Sequence, residues 1–370
     1  MNPPRVIVVG GGVIGCAIAY QLATAGAKVA LLERDGIASH ASGRNPGNLN
    51  PILGAEPALV PFALESLQLH RVLAPELAAL GCTPYRIEPV KRVVLAFDDK
   101  DREELDATAR IFAPHEDFST MHVAPPQLRA LESRLSDAVI DGLLIEGNGS
   151  LDSLAFTRAL AEGAQKAGAA LLPSRLVGIR HESKRWVRAV HTESGELACD
   201  ALVLATGPWV AETRSWLGID LPVEPVKGEM LRLKLPGTNV THDFTHGIIS
   251  LYRRGDDEVW VGVTRERCGL DERPTESRKR MLIDAAARIM PAVREATLIA
   301  HLAALRPATP TGLPVIGRAK NWNNVFVANG GGIKGVLLSA GIGVAIRDLV
   351  LSGETALPVT AFLPHGAGGR

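Results

Sequence analysis

The residues with the plainest chemical meaning in this chain are glycines. Residues 9–15 read VGGGVIG and residues 329–335 read NGGGIKG, and each holds the spacing G-x-G-x-x-G. That spacing serves a turn that presents backbone amides to a pyrophosphate. The first glycine permits the tight turn, the second a close approach of phosphate, and the third close packing of helix on strand. Around the first run the flanks agree. RVIVVG is a β-branched apolar run, expected as a strand buried on both faces. VIGCAIAYQLATAG then reads as a helix closed at Gly26, and KVALLE as a second buried strand ending on Glu33. Gly10, Gly12 and Gly15 thus shape the turn, and Val13 and Ile14 open a helix whose positive end faces phosphate. Glu33, about 20 residues on, is placed to accept from ribose hydroxyls. Arg34 beside it is the alternative, a partner for a 2′-phosphate.

The turn alone does not decide between NAD and FAD, but later stretches do. A nicotinamide-binding fold would continue with a helix after the second strand. Here HASGRNPGNLNP (40–51) is a small, polar loop, and Ser42, Arg44, Asn45, Gly47 and Asn48 suit a pyrophosphate and one edge of an isoalloxazine ring. DALVLATGPWV reads as a buried strand ending in small residues, so Ala205 and Gly207 allow close approach of the adenosine half. GAALLPSRLVGI reads as a strand pair in which Val177 offers backbone bonds to adenine.

The second glycine run follows a strand, NVFVANG, and opens a helix, VLLSAGIGVAIRDLVLSG, that stops at Gly353. No acid-tipped strand comes after it, so it is not a second complete dinucleotide unit. This argues against NAD(P)H as a bound reductant. The expectation is that this strand and helix pack back on the first domain. Gly331, Gly332, Ile333, Lys334 and Gly335 then bring a positive helix end to the flavin ring, where it stabilises the reduced, anionic form.

Composition sets the frame. Lys plus Arg number 40, as do Asp plus Glu, which recommends neither a nucleic acid nor an anionic membrane as partner. Glycine is abundant at 37 while aromatics are 4%, the usage of an α/β enzyme. Cys16, Cys82, Cys199 and Cys268 form no C-x-x-C pair and read as buried thiols of a reducing, cytoplasmic compartment. Arg5, the apolar run after it and LATAGA mimic a secretory signal, but glycines at turn spacing punctuate that run.

Taken in order, VGGGVIG…LLER, the A-S-G-x-N-x-G-x-L segment, LATGPWV, PVKGE and LRPATPTGLPVIGR resemble the D-amino-acid oxidase superfamily. Glycine oxidases and sarcosine oxidases are the nearest branches, and the resemblance runs from residue 5 to about residue 352. It implies an α/β flavoprotein with a discontinuous, Rossmann-like FAD-binding domain (1–84, 146–222 and 302–370). A mainly antiparallel substrate domain (85–145 and 223–301) completes it. By the same resemblance Arg306 clamps a substrate carboxylate, which an arginine fork suits because it donates two parallel bonds, and Lys334 faces the same acid group. Lys227 takes a structural role. Glycine oxidases carry a tyrosine in a YIVPR-like strand, where this chain reads SLYRRGDDEVWVGVT. Ser250 takes the tyrosine's register, with Tyr252 two residues on and on the same strand face. Arg253 and Arg254, before the turn GDD, are expected to face solvent, and Arg44 is a second candidate contact for an anion.

The chemistry implied is oxidation of a C–H beside an amine in a small carboxylate-bearing substrate, giving an imine that water hydrolyses, with oxygen or a quinone as final acceptor. It needs positioning and an unprotonated amine more than a general base. Two alternatives stand beside it. SGRNPGNLNP also resembles the RN-x-G loop of 2-hydroxyglutarate dehydrogenases, and oxidation of a 2-hydroxy acid needs a base, for which His40, His242 or His246 are the candidates. The other is a non-catalytic flavin subunit. A homo-oligomer or a larger dehydrogenase complex is the expected assembly. His242 and His246 lack a third ligand, so no metal is expected. His40 is out of register for a covalent flavin link, and FAD is expected to be held non-covalently.

Overall fold

A computed structural model describes residues 2–183, 185–237, 240–255 and 258–364. The chain divides into two compact units, one of residues 1–87, 151–225 and 306–370, the other of residues 88–150 and 226–305.

The first unit is built on a six-stranded sheet in the order Val315–Arg318, Val325–Asn329, Ala201–Leu204, Arg5–Val9, Lys28–Glu33, Ala170–Pro173. All neighbours are parallel except the first pair. The central strands carry no polar alternation because both faces are covered: Ala201–Leu204 and Val325–Asn329 are buried throughout. Helices Val13–Thr24, Val60–Ala79, Ser153–Lys166 and Gly335–Leu351 belong to the same unit. Small residues let these helices approach. A Cβ on Gly343 would lie 3.0 Å from the carbonyl oxygen of Ala17, and one on Gly341 would lie 2.3 Å from Ser66 Oγ. The C-terminal strand and helix thus complete the sheet and helix layer begun by the N-terminal strand and helix, as the sequence led us to expect.

One expectation is corrected. The segment GAALLPSRLVGI does not form a strand pair. Ala170–Pro173 is the edge strand of the parallel sheet, whereas Leu176–Ser183 belongs to a separate antiparallel sheet with Trp186–Thr192 and Gly195–Ala198. Its apolar run is broken by a change of sheet, which periodicity does not register.

The second unit holds a mixed sheet in the order Thr297–Ala308, Glu224–Lys234, Glu258–Gly262, Ile249–Arg254, Asp243–His246, Glu88–Ala96, Asp141–Ser150. Alternation sorts its two faces. Val93, Leu231, Leu233, Phe244, Leu251, Val259 and Val261 form a core with Leu282, Ala286 and Ile289 of the helix Glu276–Ile289. Residues one position along each strand, among them Arg92, Asp243, Ser250 and Tyr252, share the opposite face.

Among the described residues no helix is long and apolar enough to cross a membrane.

Candidate functional site

At the first turn, Gly10 adopts φ +110°, and a Cβ there would lie 2.3 Å from the carbonyl oxygen of Ala205. A Cβ on Gly15 would lie 1.8 Å from the carbonyl oxygen of Gly10. Neither position has room for any other residue, because the strand ending at Leu204 and the helix starting at Val13 close on the turn from opposite sides. Gly12 faces Ser42, whose Oγ would be 3.1 Å from a Cβ and which accepts from Val13 N at 2.9 Å. The first bond inside the helix runs from Cys16 N to Gly12 O. Ile14 and Gly15 therefore have no amide partner within the helix, as its geometry dictates, and they point where an anion is stabilised.

Glu33 is held by the turn itself. Its carboxylate accepts from Gly11 N and from Asp35 N, both at 2.6 Å. Arg34 Nε donates to Asp35 at 2.8 Å, and its guanidinium lies 4.9 Å from the centre of the Trp209 ring. Asn45 shapes the following loop: its Nδ2 donates to Ala41 O and Ser42 O, and its Oδ1 accepts from Gly47 N. Gly47 needs its φ of +66° and its lack of a side chain, since a Cβ would meet Leu151 O at 1.8 Å. Arg44 and Asn48 lie part-buried in the same loop. Gly207, at φ +57°, gives its carbonyl to Asn329 Nδ2 at 2.8 Å, which ties the end of Ala201–Leu204 to the second glycine turn. At Val177 the antiparallel ladder shifts register between Leu176 and Gly178, so the ladder steps over this residue.

The second turn is built differently. Gly330 and Gly332 adopt φ +74° and +53°, and Gly332–Lys334 forms a 3-10 turn ahead of the helix. A Cβ on Gly331 would lie 3.3 Å from Ile14 Cδ1, so the two glycine turns pack on each other. Ile333 is exposed and Gly335 begins the helix. Lys334 is buried, and its Nζ donates to Asn50 O at 2.7 Å and to Leu53 O at 2.9 Å. A buried ammonium requires such partners, and the loop 50–53 supplies them, braced by Asn50 Oδ1 accepting from Leu53 N. Two of the three ammonium donors of Lys334 thus clasp this loop. Arg306 lies part-buried near the end of Thr297–Ala308. Three residues on, the Thr309 methyl sits 2.6 Å from where a Cβ on Gly330 would be.

In the second unit, Ser250 is buried, and its hydroxyl lies 2.9 Å from that of Thr245. Tyr252 pairs across the ladder with Trp260 and has the Arg92 guanidinium 5.6 Å from its ring centre. Arg92 and Asp243 form a buried ion pair at 2.9 Å. Of the two arginines expected to face solvent, Arg254 is covered, while Arg253 keeps 36% of its side chain exposed. Both are part-buried; Arg253 N donates to Asp243 Oδ1, and burial pushes the Arg254 guanidinium below its ordinary range. Neighbours on a strand point to opposite faces, so the two arginines do not share one environment. Of the turn GDD, Asp256 and Asp257 lie outside the described residues. Lys227 is buried and pairs with Glu229 at 3.2 Å, and Glu229 also accepts from Thr275 and His301. Burial pushes the Glu229 carboxyl up, but these bonds hold it below its ordinary range.

The histidines are dispersed. His40 Nε2 lies 3.0 Å from Asp35 Oδ2, and His246 Nε2 lies 3.0 Å from Asp101 Oδ2. His242 Nδ1 is 2.8 Å from Thr241 Oγ1, and burial lowers its pKa. Of the thiols, Cys268 is exposed, which corrects the expectation that all four are buried.

Sequence reasoning missed two anchors. Buried His70 sits with Nε2 within 3.0 Å of the carbonyls of Val336 and Leu337, and Trp209 packs on Arg34 and His40. His70 lies in no motif, and Trp209, although inside LATGPWV, meets partners distant in sequence that no local signal marks.

Turn, acid and small strand ends fit a dinucleotide: the two glycines that a Cβ would fill line the helix N-terminus, and a fixed carboxylate stands beside them. A second glycine turn packs on the first, and the class this arrangement belongs to is that of FAD-dependent oxidoreductases. The chain belongs to the FAD dependent oxidoreductase family, whose pattern matches residues 5–349, and FAD is its cofactor. It is 30% identical to the glycine oxidase of Geobacillus kaustophilus over 96% of this chain and 95% of that one. It is 28% identical to the D-amino acid dehydrogenase of Xanthobacter autotrophicus over 94% and 95%. The crystal structure of the Geobacillus kaustophilus glycine oxidase superposes with a TM-score of 0.92 at 28% identity, covering 99% of this chain and all of that one.

Proposed function

We propose that the protein oxidises the C–N bond of an amino acid or N-substituted amino acid to an imine, which water hydrolyses. Bound FAD supplies the hydride acceptor, at flavin N5. The chain's own residues hold the substrate. Arg306 forks the carboxylate, where two parallel bonds fix both position and direction, and Arg44 adds a second positive charge. Lys334 acts one step away by holding the loop 50–53, and Tyr252 takes the place of the family tyrosine. The observation that carries this reading is the position of Arg306. Its segment is packed, through Thr309, on the second glycine turn, and this nearness of its backbone to the turn expected at the flavin ring supports the role of a carboxylate-binding fork. No general base is required, since an amine that arrives unprotonated only has to be oriented.

Anaerobic mixing with a panel of amines and alcohols tests the reading. Glycine, N-alkyl glycines or D-amino acids should bleach the flavin, and 2-hydroxy acids should not. Bleaching by 2-hydroxy acids alone would make the protein a hydroxy-acid dehydrogenase, and bleaching by neither class would make it a non-catalytic flavin subunit.

A further inference from the structure

The loop after Glu33 lies across the first glycine turn. Ala38 N donates to Gly11 O at 3.0 Å, Ser42 Oγ accepts from Val13 N at 2.9 Å, and a Cβ on Gly11 would meet Ile37 Cδ1 at 2.8 Å. To do this Ala38 takes φ +60° while buried, a left-handed conformation that costs an alanine about 1–2 kcal/mol. Something must hold the loop in that shape. Asp35 Oδ2 accepts from Arg34 Nε at 2.8 Å and lies 3.0 Å from His40 Nε2, so it links two residues of the loop. Both linked side chains then rest on one ring, that of Trp209. The Arg34 guanidinium is 4.9 Å from its centre, and the His40 ring centre is 4.4 Å away.

Trp209 follows the strand Ala201–Leu204, and the loop follows Lys28–Glu33. These strands flank Arg5–Val9 on either side. The contact therefore bridges over the end of the strand from which the glycine turn emerges, and ligands of open α/β sheets bind beyond the carboxyl ends of the strands. We propose that residues 34–43 form a latch over this turn, held shut by Trp209, and that opening the latch sets the rate at which FAD enters and leaves. The proposal rests on FAD being held without a covalent bond.

A latch that must open in both directions slows association and dissociation together, because each rate scales with the open fraction. Concentration jumps on the holoprotein measure both. The relaxation rate rises with free FAD, and its slope and intercept give the two rate constants. Trp209→Ala should raise both by about tenfold, the combined weight of a cation–π and a ring contact, and should change their ratio by much less. Trp209→Phe keeps a ring and should stay near wild type. If Trp209→Ala does not fold, His40→Gln removes one of the two contacts and should raise both rates by about threefold. A rise in the intercept alone would mean that Trp209 touches bound cofactor and gates nothing, and no change in either would also overturn the latch. Acid precipitation of wild type separates the other failure. Colour that stays with the pellet refutes the non-covalent reading, and a latch governing exchange falls with it.

Discussion

The two glycine turns carry the same spacing and solve different problems. At the first, glycine is demanded by contact: the turn is squeezed between a strand end and a helix start, and Cβ atoms on Gly10 and Gly15 would overlap carbonyl oxygens. At the second, contact bears on Gly330 and Gly331, whereas Gly332 is demanded by backbone angle alone. Gly332 has φ +53° and nothing within 4 Å of where its Cβ would be. The turn is instead fixed from below by Lys334 on the carbonyls of Asn50 and Leu53 and by His70 on those of Val336 and Leu337. A shared spacing therefore does not imply a shared duty. One turn is closed in by a strand end and a helix start, and the other is anchored through Lys334 and His70.

Substitution of the glycines should break the symmetry most. Gly15→Ala has no room at all, so it should cost about 3 kcal/mol or more and give protein that purifies without yellow colour. Gly332→Ala should cost about 1 kcal/mol and keep its FAD. Urea melts and the flavin absorbance of the purified proteins read both effects. If the two variants lose colour equally, the contrast between the turns is wrong.

The anchors come next. Lys334→Met keeps the volume and removes the charge, leaving two carbonyls without their donor. A loss of about 2–3 kcal/mol is expected for bonds to a buried charged group, seen as a lower urea midpoint with FAD still bound. An unchanged midpoint would return Lys334 to the substrate.

His70 gives a smaller, pH-dependent effect. Burial lowers its pKa to about 4 in the fold, from an ordinary value of 6.5. The unfolded chain therefore binds a proton that the native state refuses between these two values. His70 costs nothing above pH 6.5, and stability falls as pH drops through that window. The loss between pH 7 and pH 5 should be about 2 kcal/mol, and it should vanish in His70→Gln. A variant that loses as much as wild type over this range would assign the acid sensitivity elsewhere.

Much of this contrast is legible in sequence where the cause is local. Strand, turn, helix and Glu33 lie within one short stretch. What periodicity does not contain is partnership between distant residues. His70 meets carbonyls far along the chain, Trp209 meets Arg34 across the width of a strand, and Arg92 meets Asp243 between neighbouring strands. Lys334 shows the limit most clearly. Its position in the turn was evident, but its charge is directed by a loop that folds back from residue 50.

The central claim is that Arg306 holds the acid group of the substrate beside the second turn. Titrating the flavin spectrum of the holoprotein with a carboxylate ligand, in wild type and Arg306→Ala, tests it directly. Losing one partner of a buried, charge-paired contact costs about 2–5 kcal/mol. The variant should therefore bind carboxylates about 30-fold or more weakly while its unliganded flavin spectrum stays the same. An Arg306→Ala protein that binds carboxylates as wild type does would contradict the account and move the acid group to Arg44.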